Sequence, residues 1–323
     1  MRYLITGGAG FIGSNIAHEL IRMGEKVRII DNFSTGSKIN LAEIESQVEL
    51  IEGDIRDFWT VREAVDGADY VLHQAALPSV PRSVKNPLTS NSVNIDGTLN
   101  LLEASKQADV KRFVFASSSS VYGDTPELPK REDMWPDPLS PYAVTKLACE
   151  KYCKVFYELY GLETVSLRYF NIFGPRQDPA SEYAAVIPKF ISALLSDRHP
   201  VVFGDGEQSR DFTFIDNAIQ ANLLATTSPL APGKFYNIAC GAQFTLNDLL
   251  KKLREIMGTD TEADYTPPRP GDILHSYADI TKAKEGLEYR PKVDFENGLR
   301  KTIEWFAALR NSQTPVGGIN ISE

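Results

Sequence analysis

Cysteine is scarce, with Cys149, Cys153 and Cys240 the only three in 323 residues. The number is odd and no C-x-x-C spacing occurs. A disulfide framework is therefore excluded, and buried thiols in a reducing compartment are expected. The four histidines, His18, His73, His199 and His275, are scattered along the chain, so no metal site is expected. Positive charge is in deficit, 34 Lys and Arg against 43 Asp and Glu. The resulting net charge of -9 argues against a nucleic-acid partner, though a few basic residues can still hold a phosphorylated small molecule. No apolar run reaches the ~18 residues of a bilayer span. A first strand starting at Arg2 leaves no room for a signal peptide, so the expectation is a cytoplasmic protein with no membrane partner.

What the chain does have starts at its first residues. The apolar run Tyr3-Leu4-Ile5 ends in Gly7, Gly8, Gly10 and Gly13, and an apolar-periodic stretch from Phe11 and Ile12 follows. Strand, glycine turn and helix form the context of a dinucleotide fingerprint. Glycine lets the backbone approach a pyrophosphate, and the first N–H groups of the helix point at its charge. A second strand, Lys26 to Ile30, ends in Asp31. A carboxylate there accepts from both hydroxyls of an adenosine ribose and repels a 2′-phosphate. Asn32 rather than arginine follows, which favours NAD over NADP, although Arg28 lies nearby. Gly53-Asp54-Ile55 after a third strand and Gln74-Ala75-Ala76 after a fourth offer an acid near the adenine and small residues along the cofactor's path.

Ser140-Pro141-Tyr142-Ala143-Val144-Thr145-Lys146 places a phenol and an ammonium one helical turn apart, on one face. Ser140 suits the N-cap and Pro141 the first helical position. A free tyrosine has a pKa of about 10. A nearby cation lowers it, turning the side chain into a general base.

Strands near 48–51, 70–72, 112–117 and 164–169 alternate with helices near 57–66, 92–108 and 142–160. This alternation predicts an α/β fold, a doubly wound parallel, Rossmann-like sheet with ligands at the carboxyl ends of its strands. Residues 1–172 are read as an NAD-binding domain, to which 211–239 returns through a strand at Lys234–Ile238. Residues 173–310 are read as a smaller substrate domain, and 311–323 as a polar tail. Helix 142–160 carries two apolar stripes, Val144, Leu147, Ala148, Val155, Leu159 and Cys149, Tyr152, Cys153, Phe156, Tyr160. A helix apolar on two sides needs a second partner. A homodimer through 92–108 (Leu99, Leu101, Leu102, Ala104) and 142–160 would provide it.

Thr6 to Gly13, Asp31-Asn32, Gly53-Asp54-Ile55, Ser117 to Gly123, Tyr142-x-x-x-Lys146 and Arg168-Tyr169-Phe170-Asn171 stand in the order found in extended short-chain dehydrogenase/reductases. The resemblance covers residues 1 to about 310. Within that superfamily the chain resembles nucleotide-sugar 4-epimerases, most closely the UDP-N-acetylglucosamine and UDP-glucose 4-epimerases. Related dehydratases and decarboxylases carry a carboxylate just before the segment matching Val121-Tyr122-Gly123. Here that stretch is Ser118-Ser119-Ser120, which disfavours dehydration.

The resemblance implies NAD as cofactor, a UDP-sugar as substrate, and oxidation and re-reduction at C4 through a 4-keto sugar. Tyr142 would be the base and Lys146 would lower its pKa and hold the nicotinamide ribose. Ser118, with Ser119 as its alternate, would hold O4, and Tyr169 would join the cofactor residues. Arg210 and Arg269 would grip the diphosphate, Asn171 would touch it, Asp272 would take the ribose, and Val201 with Phe203 would cover uracil. Ser79, Arg82, Ser83 and Val186 would line the sugar side. Epimerases restricted to UDP-glucose and UDP-galactose have a tyrosine wall near C2. The matching residue here is Ser276, with Tyr277 the alternative, so UDP-N-acetylglucosamine and UDP-N-acetylgalactosamine are expected to interconvert, together with the plain pair. One rival is a UDP-glucuronate 4-epimerase, with Arg176 or Lys189 meeting the C6 carboxylate. The other is a non-catalytic NAD- and UDP-sugar-binding sensor.

Overall fold

The computed structural model describes residues 1–179, 185–268 and 273–313. From the N-terminus the elements are β1 (Arg2–Thr6), α1 (Phe11–Arg22), β2 (Lys26–Asp31), β3 (Val48–Glu52), α2 (Phe58–Val65) and β4 (Tyr70–His73). Two short helices, α3 (Val80–Lys85) and α4 (Pro87–Asn91), then run through a π turn at Ser92–Asp96 into α5 (Gly97–Gln107). Asn94 in that turn is buried, accepting from the Leu77 N–H at 2.8 Å and donating to Thr145 Oγ1 at 3.0 Å. The expected helix 92–108 therefore opens on a widened turn, a local form often found at functional sites. Next come β5 (Arg112–Ser118), α6 (Pro141–Tyr160) and β6 (Thr164–Tyr169).

The second half is less regular, with β7 (Ile172–Phe173), α7 (Val186–Leu195), β8 (Val201–Phe203), β9 (Ser209–Arg210), β10 (Thr213–Phe214), α8 (Ile215–Thr227), β11 (Lys234–Ile238) and α9 (Leu246–Met257). The main sheet has seven strands in the order β11, β6, β5, β4, β1, β2, β3, all parallel. The chain winds outward one way from β1 through β3, then the other way from β4. The strand order thus reverses between β1 and β4, where such sheets leave a crevice at their carboxyl ends. β11 joins β6 with Lys234 opposite Val165 and Ile238 opposite Tyr169. The C-terminal helix Phe295–Gln313 continues past Asn311, where the tail was expected to begin. Residues 314–323 lie outside the described residues.

α6 shows how local sequence sets the frame. Ser140 Oγ accepts from the Ala143 N–H at 3.2 Å, Pro141 takes the first turn, and Gly161 ends the helix at φ 72°. That left-handed value suits glycine, which has no Cβ to clash. Lys146, Cys149, Glu150, Cys153 and Phe156 form its buried face, where a side chain such as Phe156 contributes about 1.5–3 kcal/mol. Val144, Val155 and Leu159 face outward, 49%, 40% and 71% exposed, while Leu101, Leu102 and Ala104 of α5 are consumed in the subunit's own core.

Candidate functional site

A cleft of about 910 Å³ opens along the carboxyl ends of β1, β2, β4 and β5, toward the upper end of the ~300–1,000 Å³ usual for ligand sites. Every residue expected to hold the cofactor lines it: Gly7, Gly10, Phe11, Ile12, Gly13, Asp31, Asn32, Asp54, Ile55, Gln74, Ala75, Ala76, Tyr142, Lys146 and Tyr169. The glycine turn is a tight cradle. Gly7 sits at φ +66°, and a Cβ there would lie 2.8 Å from the backbone of Ala75. A Cβ on Gly13 would lie 2.2 Å from the Gly7 carbonyl oxygen. Only glycine fits, and the close approach leaves the first N–H groups of α1 open to an anion. This cradle, followed by a carboxylate at the end of β2, fits a dinucleotide.

Asp31 Oδ2 accepts from Ala9 N at 2.9 Å and Oδ1 from Phe33 N at 2.8 Å. Burial raises its pKa, and these backbone bonds oppose the rise. Each oxygen keeps a lone pair for a ribose hydroxyl. Asn32 donates to Asp54 Oδ2 at 2.9 Å, and Arg56 binds both Asp54 oxygens, holding that carboxyl down to about 2. Arg28 does not reach the cleft. Its Nη1 donates to Ala64 O at 2.8 Å and Asp66 O at 2.7 Å, closing the end of α2, and its Nε pairs with Glu49.

At the other end, Ser118 closes β5, its Oγ accepts from Ser120 N at 3.2 Å, and its hydroxyl favours the Tyr142 phenolate. Lys146 Nζ donates to the Ala116 carbonyl at 2.7 Å and lies 5.9 Å from the centre of the Tyr142 ring. Burial pushes the Tyr142 phenol up to about 12, opposed by the Ser118 hydrogen bond. Burial brings the Lys146 ammonium down to about 8, opposed by Cys149, Cys153 and Glu150. For the polypeptide alone, burial rather than Lys146 sets the direction of the Tyr142 pKa. Burial raises it, because enclosing the phenolate away from water outweighs the stabilisation that Ser118 supplies.

Several neighbours carried no sequence signal. Ser117 lines the cleft and binds Glu150. Glu150, one turn beyond Lys146, pairs with Arg168 at 2.7 Å in a fully enclosed ion pair. Arg168 opens the Arg168–Asn171 motif, but its partner Glu150 has no counterpart in that pattern. Asn222 of α8 donates to the Tyr169 hydroxyl at 2.7 Å and accepts from Gln74 at 3.0 Å. His73 lies between Thr6 Oγ1 and Thr98 Oγ1, at 2.7 and 2.8 Å, and burial brings it down to about 3. Patterns of spacing along one element cannot reveal such contacts between elements.

The expected substrate residues are less closely gathered. Ser79 (φ 98°) and Arg82 line the cleft. Ser83 braces α6 instead, accepting from the Tyr142 N–H at 3.0 Å and donating to Val80 O. Ser119 starts the turn after β5, and Val186 begins α7. Val201 is 44% exposed on β8, two residues before Phe203. Asn171 Nδ2 donates to Asp211 O at 3.3 Å, and Arg210 Nη1 donates to Ser209 O and Leu274 O at 2.8 and 3.1 Å. Ser276 is buried, its N–H on Ser209 O at 3.0 Å, which brings it beside the Arg210 strand. Arg269 and Asp272 lie outside the described residues. Arg176 turns toward α1, donating to Asn15 Oδ1 at 3.1 Å and pairing with Glu43 at 3.3 Å.

Residues 3–239 match the model of the NAD dependent epimerase/dehydratase family. A UDP-N-acetylglucosamine 4-epimerase from Methanobrevibacter ruminantium, solved with UDP-N-acetylmuramic acid, is 45% identical over 95% of this chain and 98% of that one, with a TM-score of 0.91. A UDP-glucose 4-epimerase from Thermotoga maritima, solved with UDP-glucose, is 40% identical over 96% and 100%, with a TM-score of 0.92. A Thermus thermophilus UDP-glucose 4-epimerase solved with NAD is 38% identical over 95% and 99%, with a TM-score of 0.86. Fold, cleft and likeness over almost the whole chain lead to one conclusion: this protein belongs to the NAD dependent epimerase/dehydratase family, and NAD is its cofactor.

Proposed function

We propose that the protein is a UDP-sugar 4-epimerase, an isomerase that interconverts UDP-N-acetylglucosamine with UDP-N-acetylgalactosamine and also accepts UDP-glucose and UDP-galactose. The observation that carries this reading is Ser118, at the end of β5, acting on the Tyr142 phenol one turn from Lys146, with hydroxyls rather than a carboxylate beside them. NAD supplies a reversible hydride acceptor at C4. Tyr142 takes the proton from the sugar 4-hydroxyl and later returns it to the other face, while Ser118 keeps O4 in line. Lys146 holds the nicotinamide ribose, and its charge, added to that of the bound cofactor, offsets the desolvation that raises the phenol.

The nucleotide must be gripped while the sugar turns over. Arg210 and Arg269 suit the diphosphate because guanidinium presents paired planar donors. Asn171 and Asp272 add polar contacts, Val201 and Phe203 cover uracil, and Ser79, Arg82, Ser119 and Val186 bound the sugar side, with Ser83 behind them bracing the Tyr142 amide. Residues 1–172 with 211–239 then form the cofactor half and 173–310 the substrate half. Arg176 lines the cleft but is engaged with Asn15 and Glu43, which favours uncharged sugars over the glucuronate rival's use of Arg176 and leaves Lys189 as its other cation. The outward Val144, Val155 and Leu159 support a homodimer through α6, and the buried Cys149 and Cys153 suit a cytoplasmic setting.

Ser276 makes room for an N-acetyl arm where a tyrosine would close the pocket. NMR of purified protein with a panel of UDP-hexoses should reveal C4 epimers of the N-acetyl pair without accumulation of NADH. Ser276→Tyr should abolish that reaction and spare the glucose/galactose one. Parental N-acetyl turnover in the variant would refute the gatekeeper, and stoichiometric NADH would mean a dehydrogenase.

A further inference from the structure

Asp211 is fully buried, and what meets its carboxylate is backbone. Oδ1 accepts from Cys240 N at 2.9 Å, and Oδ2 accepts from Gly241 N at 3.0 Å and Ala278 N at 3.3 Å. Burial pushes the acid up to about 6, opposed by backbone N–H groups of Cys240, Ala278, Gly241 and Ala242. Enclosing a carboxylate among backbone N–H groups is costly, so the fold gains little stability from choosing this side chain here. What it gains is position, because three separate segments meet at these two oxygens.

The first segment is β9 itself, where Arg210 immediately precedes Asp211. The second is the loop leaving the carboxyl end of β11. The third is the stretch that holds Ser276, already drawn to β9 by Ser276 N on Ser209 O at 3.0 Å and by Arg210 Nη1 on Leu274 O at 3.1 Å. Asn171 is tied to the same point through the Asp211 carbonyl at 3.3 Å. We infer that Asp211 is a positioning residue: its carboxylate fastens the loop after β11 and the Ser276 segment to the Arg210 strand, so that the diphosphate grip and the sugar pocket keep one geometry. This rests on the reading that Arg210 and Ser276 face the UDP-sugar.

The test measures kcat and KM for UDP-N-acetylglucosamine, and NAD affinity, in Asp211→Asn and Asp211→Ala. Asparagine keeps one acceptor oxygen but sets an N–H₂ against backbone N–H groups, and alanine keeps none. KM should rise about tenfold in the first and further in the second, with kcat within about threefold of the parent and NAD affinity unchanged. A fall in kcat at unchanged KM would overturn the inference, since partial unfolding removes active molecules without weakening those that remain. Hydrogen exchange on the unaltered protein is independent of how the variants fold. UDP-N-acetylglucosamine should slow exchange in 240–242 and 276–278 together, and no protection in either would also overturn the inference. Arg210→Gln separates the two levels. If it keeps the parental KM, the underlying site reading fails; if it raises KM while Asp211→Asn does not, only the role of Asp211 fails.

Discussion

Gly13→Ala tests whether the turn between β1 and α1 is the cofactor cradle. The new Cβ would lie 2.2 Å from Gly7 O, 2.8 Å from Gly8 Cα and 2.9 Å from Gly7 C. The first of these is about 1.3 Å short of an ordinary contact of ~3.5 Å. All three neighbours are backbone, so no side chain can swing aside. The Gly7 carbonyl also accepts from Gly10 N at 3.1 Å, and Gly7 N donates to Ile30 O at 2.9 Å. Moving that peptide therefore disturbs both the turn and its attachment to β2. Overpacking of this kind costs about 1–3 kcal/mol of stability. Displacing the N–H groups at the start of α1 forfeits at least one bond to a charged oxygen, about 1.5–3 kcal/mol, which is an NAD affinity lower by about 10–100-fold. Gly24→Ala is the control. Gly24 has φ +79° with nothing within 4 Å of a new Cβ. It should lose only the ~1–2 kcal/mol of a left-handed non-glycine residue and bind NAD normally. Titration calorimetry with NAD and thermal unfolding report the two effects separately. Gly13→Ala with parental NAD affinity would refute the reasoning.

Tyr142→Phe should lower turnover by about 10²–10⁴-fold while UDP-sugar binding, read by calorimetry, stays close to parental; near-normal activity would remove Tyr142 as base. His73 sits near 3 when folded against about 6.5 free, so between those values the unfolded chain binds a proton that the folded chain refuses. Its contribution to stability is present above pH ~6.5 and is lost as pH falls toward 3. The urea midpoint should therefore drop from pH 7 to pH 5, and the drop should be smaller in His73→Asn; equal drops would show that another group is responsible. Leu159→Glu with Val155→Glu should shift sedimentation from dimer to monomer without loss of NAD binding, and an unchanged sedimentation coefficient would exclude this face as the dimer contact.

Sequence and structure contributed different parts of this picture. Local regularities were legible directly. The Gly7 to Gly13 spacing, Asp31 at the end of β2, the Ser140 cap and the four-residue step from Tyr142 to Lys146 each depend on one element and the turn beside it. Steric demand at a glycine and the pitch of a helix act over a few residues, so they are written in order along the chain. Strand–helix alternation sufficed in the same way for the doubly wound sheet.

Only the tertiary structure decided what depends on contacts between elements. Arg28 lies three residues before Asp31, yet it turns to the end of α2 because buried carbonyls there need a donor. Ser83 looked like a pocket residue and instead holds the Tyr142 amide. The pairing of Glu150 with Arg168, Asn222 against Tyr169, and the backbone nest around Asp211 join residues far apart in the chain. Tyr142 itself shows the limit most clearly. Its place next to Lys146 follows from helical spacing, but the direction of its pKa follows from desolvation by surrounding strands and helices, which no local pattern encodes.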